Sequence, residues 1–328
     1  MQTCVFLLLE ITSKVKQKNN MVETPVLYIA YCRPEYARQS FDAIKRAKPK
    51  KLYFYSNIAR EGHADEIKRN NEVRAMAKEV DWDCELKTYF RDEYLDMYPS
   101  LWTAIDWVFS NEEKAIVIEE DCVATKAFFD FCESMLEKYE NDKNVWLISG
   151  NNFTPEYSPT DKNYFFSKYL DIWGWAGWRD RWNCLDRTMS SWPTQKGKAF
   201  AKYWNSFIQS KWMQYRFKLA YDIYEKTGSG PWDYCFWYNA SLNNGKFLKP
   251  SINLVVDVEM YGTNHNPAAN MYMKEKKFSE IESFQIVNEP NSVEFDSNYD
   301  NKHFWKHILG GTLSRKTSLL LHKILIKK

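Results

Sequence analysis

The chain has 328 residues, of which 45% are hydrophobic, 27% charged and 17% aromatic, with a formal net charge of +2. Such a composition excludes a largely disordered chain and allows one large domain or two small ones. The charge is unevenly placed: residues 302–328 carry seven Lys or Arg and no acid, residues 1–20 are net basic, and the intervening body is net acidic. An acidic body argues against nucleic acid as the main partner.

In residues 1–20, the apolar run 5–9 is too short to span a bilayer. It also precedes its lysines, unlike the core of a signal peptide. Residues 1–20 therefore read as a dispensable extension before Met21. Residues 26–31 (VLYIAY) predict a first strand, followed by Cys32-Arg-Pro-Glu and a helix through residue 46. Pro34 suits the first turn of that helix, where no amide hydrogen bond is lost. Strands are expected at 52–55, 84–90, 115–118 and 145–149, and helices at 63–79, 101–109 and 128–139. Alternation of this kind is the pattern of a parallel sheet covered by helices on both faces. Right-handed crossovers then bring the carboxyl ends of the strands to one rim, where Arg33, Glu119, Glu120 and Asp121 would meet.

After Gly150 the pattern changes. Residues 151–195 are loop-rich and aromatic, and a long helix is expected over 196–226. Gly228-Ser-Gly-Pro231 breaks the chain before another helix at Trp232. Short strands at 247–248 and 253–256 flank Pro250, and 261–267 is a polar loop. Residues 21–275 read as one domain whose second half closes over the rim of the first, with 276–328 as a C-terminal extension.

The apolar run 115–118 ends in three consecutive carboxylates, Glu119, Glu120 and Asp121. Adjacent buried charges must be solvated, paired or bound to a cation. One reading is a divalent metal site that holds a diphosphate, since hard cations prefer carboxylate and phosphate oxygens. The other is a solvated loop with Asp121 capping the helix near Thr125. Asp233, between Trp232 and Tyr234, is either a helix cap or a desolvated general base. Trp175, central in the run 173–178 with its glycines, is either a sugar-stacking face or core. His265 is either a nitrogen ligand to the same metal or incidental. No GxGxxG or GxxxxGK[ST] occurs, so a metal would do the phosphate-binding work that backbone amides do in those folds. The seven cysteines form no CxxC pair, which fits reduced thiols in a cytoplasmic protein, and the basic tail allows a peripheral place on the inner face of the cell membrane.

In order, the segments IAYCRPE, IVIEEDCVATKAFFDFCE, NVWLISGNNF, IWGWAGW and GPWDYCFWYNASLNNG resemble nucleotide-sugar glycosyltransferases of the GT-A fold. The resemblance is to bacterial family-2-like sugar transferases and, more distantly, to N-acetylglucosaminyltransferase I, and it covers roughly residues 24–267. It implies an α/β, Rossmann-like, mostly parallel sheet with an aromatic-rich acceptor half. It further implies Mn2+ or Mg2+ on Asp121, Glu119 and Glu120 facing the nucleoside and donor sugar, Arg33 near the nucleotide, and Asp233 as the base of an inverting transfer. The implied activity is hexosyl or N-acetylhexosaminyl transfer from a nucleotide-diphosphate sugar, with a UDP-sugar as the expected donor. The acceptor would be a glycan or lipid-linked sugar of a bacterial surface polysaccharide or glycolipid. Three departures stand out. Glu120 replaces the commoner Asp, residues 91–98 (RDEYLDMY) lack the expected Gly, and Ser56-Asn57 stands where an Asp often reads the base. A non-catalytic nucleotide-sugar or glycan binder is the alternative, and a nucleotidyltransferase the weaker rival. Along 302–328, apolar clusters are combined with Lys and Arg, and Leu320, Leu321, Ile324 and Leu325 would fall on one helical face, which fits either an anionic membrane surface or the domain's own surface.

Overall fold

A computed structural model describes residues 21–195, 197–204, 206–258 and 283–310. The first half follows the expected alternation. Strands β1 (Val26–Ala30), β2 (Lys51–Ser56), β3 (Glu85–Phe90) and β4 (Lys114–Glu119) are linked by helices α1 (Pro34–Ala47), α2 (Ala64–Ala75) and α3 (Met97–Asn111). Every residue of β1 is buried, as expected of a central strand covered on both faces. Alternate side chains feed two separate cores. Tyr28 packs with Ala37, Phe41 and Ile44 of α1, whereas Leu27 and Ile29 pack with Ile105 and Val108 of α3. The period-2 geometry of the strand thus produces an α/β/α sandwich.

The chain then adds β5 (Cys122–Ala124), α4 (Lys126–Lys138), β6 (Val145–Ser149), β7 (Tyr164–Ser167), β8 (Trp175–Trp178) and α5 (Arg179–Asn183). Helices α6 (Trp192–Gln195), α7 (Lys198–Trp204), α8 (Phe207–Thr227) and α9 (Trp232–Leu242) follow, then β9 (Lys246–Pro250), β10 (Val255–Asp257) and α10 (Ser297–His303). The main sheet has eight strands in the order β3-β2-β1-β4-β8-β6-β9-β7, and β5 pairs with β10 apart from it. The expected α/β class with a mostly parallel sheet is present.

Two sequence expectations are corrected. The segment 164–178 is not simply loop, because it supplies β7 and β8, and β8 lies antiparallel between β4 and β6. Four buried residues, Trp-Ala-Gly-Trp, are too few, and without a β-branched residue among them, to show a strand period. The long helix expected over 196–226 divides into α7 and α8. Ser206 has extended backbone, and its hydroxyl accepts from the Gln209 N–H, capping α8.

The described part of the C-terminal extension packs on this domain. Tyr299, Asp300, His303 and Phe304 are buried, and Asp300 accepts from the Ser167 hydroxyl at 2.6 Å. For 302–310, the structure thus shows a segment docked on the domain's own surface, while 311–328 lie outside the described residues. Among the described residues no helix is long and apolar enough to cross a membrane. The six cysteines among them are free thiols.

Candidate active site

The topology marks one crevice without reference to any motif. Chain order runs outward from β1 through β2 to β3, then returns to place β4 on the opposite side of β1. Parallel register pairs Val26 with Ile116 and Ile29 with Glu119, so both strands end at the same level. Helices on opposite faces part there, and in open α/β sheets ligands bind at this switch point, outside the carboxyl ends of the strands. Arg33 follows β1, and Glu119, Glu120 and Asp121 end β4.

The three acids face different ways. Glu120 is 4% exposed and turned into the β1–α1 loop. Its carboxylate accepts from the Tyr31 N–H at 2.7 Å and from Arg33 Nε at 2.6 Å. Its carbonyl accepts from the Ser40 hydroxyl at 2.9 Å. Asp121 takes the other arm of the same guanidinium, with Nη2 at 2.9 Å from Oδ2. Arg33 therefore bridges the middle and last acids in a charge-assisted pair of contacts. Asp121 does not cap α4: Thr125 does, through its hydroxyl to the Phe128 N–H.

Glu119 opens instead into a cavity of about 400 Å³ that it shares with Asp233 and Arg216. α9 begins with Pro231 as its cap residue, so Asp233 lies in the first turn and the capping alternative fails. Burial pushes its carboxyl up to about 6, against the opposing pull of the first-turn backbone at Asp233 and Tyr234. Arg216 opposes that shift, and its guanidinium donates to the Tyr234 hydroxyl while covering the Tyr234 ring at 5.2 Å. Burial, then the charges of Asp121, Asp233 and Asp257, hold the Glu119 carboxyl well above the usual carboxylate range.

Asp257 and Arg216 were not legible as site residues. Asp257 ends β10, opposite Cys122, and the neighbouring Val258 N–H donates to the Asp121 carbonyl at 2.8 Å. The only sequence signal was its place just past a short predicted strand. Arg216 lies mid-helix between Lys211 and Lys218 and carried no signal.

After burial, the charge of Asp121 is the largest cause of the raised Glu119 carboxyl and that of Asp257 a smaller one, and a hard divalent cation suits carboxylate donors of this kind. Among the described residues no three metal-ligating side chains converge, so a cation held here would complete its shell with substrate oxygens. His265 lies outside the described residues. Trp175 is 1% exposed and packs on Trp232 at 5.0 Å between ring centroids, so it presents no face to a ligand. Its neighbour Gly174 (φ +59°) serves intramolecular packing, since a Cβ there would meet Val255 at 2.8 Å.

No family model matches the chain, and no curated protein matches it. Solved structures overlap it in part. HddC from Yersinia pseudotuberculosis is 10% identical with a TM-score of 0.29, covering 48% of this chain and 78% of that one. A glucose-1-phosphate thymidylyltransferase from Bacillus anthracis, crystallised with a sucrose, is 10% identical with a TM-score of 0.29, covering 49% and 74%. A UDP-glucose pyrophosphorylase complexed with UDP-glucose is 9% identical with a TM-score of 0.28, covering 49% and 78%. Overlaps at these scores carry no argument about activity.

Proposed function

We propose that the chain is a metal-dependent, inverting glycosyltransferase that uses a nucleotide-diphosphate sugar, with a glycan or glycolipid hydroxyl as acceptor. The observation behind this reading is the joining of two regions more than a hundred residues apart. Glu119, ending β4, and Asp233, opening α9, line one cavity beside the Arg33–Asp121 pair. In this reading Asp121 would hold Mn2+ or Mg2+, and the cation would supply charge stabilisation to the departing diphosphate. Arg33, already oriented by Glu120, adds a fixed guanidinium for phosphate oxygens.

In this reading the acceptor oxygen forms a bond to the anomeric carbon as the bond from that carbon to the diphosphate oxygen breaks. Asp233 takes the acceptor proton, and the electron pair leaves with the nucleoside diphosphate. A carboxyl near 6 is ionised at neutral pH yet basic enough to accept a proton from an alcohol as it attacks. Arg216, beside Tyr234, keeps positive charge near the ionised base.

The test is release of nucleoside diphosphate from a panel of nucleotide sugars with Mn2+. Turnover by wild type, and its loss in Asp233→Asn and Asp121→Asn, supports the reading. Donor binding with equal, negligible release by wild type and Asp233→Asn identifies a binder. Pyrophosphate release from a nucleoside triphosphate and a sugar 1-phosphate identifies nucleotidyl transfer.

A further inference from the structure

The cavity that holds Glu119 and Asp233 has walls of two kinds. Trp232 and Tyr234 flank its charged end. Away from that end the lining is mostly aliphatic: Met97 and Leu101 of α3, beside Tyr98, then Ile172, and Leu219, Ala220 and Ile223 of α8. The wall also continues to the surface, because Met97 is 63% and Leu219 44% exposed. Tyr215, Leu219 and Ile223 repeat every four residues and so share one face of α8, extending the apolar path along the helix. Charge is confined to the end formed by Glu119, Arg216 and Asp233. One end that can orient a hydroxyl and a largely aliphatic wall that sheds water describe an amphipathic ligand.

Building on the glycosyltransferase reading, we propose that the acceptor carries an aliphatic chain. Its hydroxyl-bearing head lies at Glu119 and Asp233, and its chain runs out between α3 and α8 past Leu219 and Met97. A saturated alkyl and an isoprenoid chain share this chemistry. Each methylene withdrawn from water contributes about fourfold in affinity, equivalent to about 0.8 kcal/mol.

The test is calorimetric titration of the full chain with methyl, hexyl and octyl β-glucoside, each below its micelle-forming concentration, without donor or metal. Octyl glucoside is expected to bind on the order of tenfold more tightly than hexyl, and burial of the chain to give a negative heat-capacity change. Leu219→Glu should abolish that advantage, and Leu219→Ala should reduce it; an exposed position lets both variants fold. Phe207→Glu, on the same helix, 77% exposed and outside the cavity, should change nothing. Equal affinity for hexyl and octyl glucoside, octyl binding untouched by Leu219→Glu, or an equal loss in Phe207→Glu would each overturn the proposal. An octyl chain replaced by a farnesyl chain on the same head separates the two chain types. Because turnover is not read, failure here leaves the enzyme reading standing, and a failed release assay leaves a measured chain site standing.

Discussion

Asp233 carries opposing demands, and they can be separated by pH. Its folded-state carboxyl, pushed up to about 6, must be ionised to act as a base, so kcat/KM should rise with pH through about 6 and then level off. Asp233→Asn should lower kcat by about 10²–10⁴-fold and remove that rise. Stability runs the other way. Between its ordinary value of 3.8 and about 6, the native state binds more protons than the unfolded chain, so stability falls as pH rises across that window. Asp233→Asn should therefore match wild type at pH 4 and exceed it above pH 6 by roughly 1–3 kcal/mol, checked by melting curves at both values. Glu120 makes a contrasting case. Glu120→Ala removes the acceptor for the Tyr31 N–H and one partner of Arg33, and should cost about 1–3 kcal/mol by chemical denaturation. Sequence placed three acids at one strand end, but which one turned inward was a matter of loop geometry. The same indistinction hid Trp175, since a tryptophan reads alike whether it will stack on a sugar or on Trp232.

At the scale of elements, periodicity carried the first half of the fold. Predicted bounds for β1 and α1 fall within a residue or two of those observed, because each buries a regular apolar pattern. β8 escaped because its four residues are buried on both faces by aromatics, leaving no alternation to read. Its placement depends on a close approach of chains at Gly150 and Gly174. The Gly150 N–H donates to the Gly174 carbonyl at 2.7 Å, and a Cβ on Gly150 would meet that carbonyl at 2.8 Å and Phe128 at 2.5 Å. Gly150→Ala should thus destabilise by about 1–3 kcal/mol, and more than Gly177→Ala, where the nearest atom is a Trp175 ring carbon at 3.3 Å. Equal melting temperatures for the two variants would contradict this account.

Across the whole molecule, the C-terminal segment and the second half of the sheet share one buried polar group of residues. Lys249 in β9 is fully buried and pairs with buried Asp171 at 2.5 Å. Asp300 of α10 accepts from Ser167 of β7, and the buried His303 ring shares a hydrogen bond with the Thr154 hydroxyl. Breaking such a pair strands a charge in the interior. Lys249→Met should cost about 3–5 kcal/mol, and the double variant with Asp171→Leu should recover much of that loss, as measured by a denaturant-melt cycle. No single segment's pattern announces this, because the partners lie 78 and more residues apart.

What the sequence determined alone was local: a strand–helix alternation that winds an α/β sandwich, and an apolar strand that ends in carboxylates. Both follow from the short-range geometry of strands and helices. The tertiary structure decided the rest: β8 between β4 and β6, Glu120 bound inward by Arg33, and Glu119 set against Asp233, Arg216 and Asp257. Those relations come from contacts between distant segments, whose free energy depends on the completed packing and is written in no single stretch of the chain.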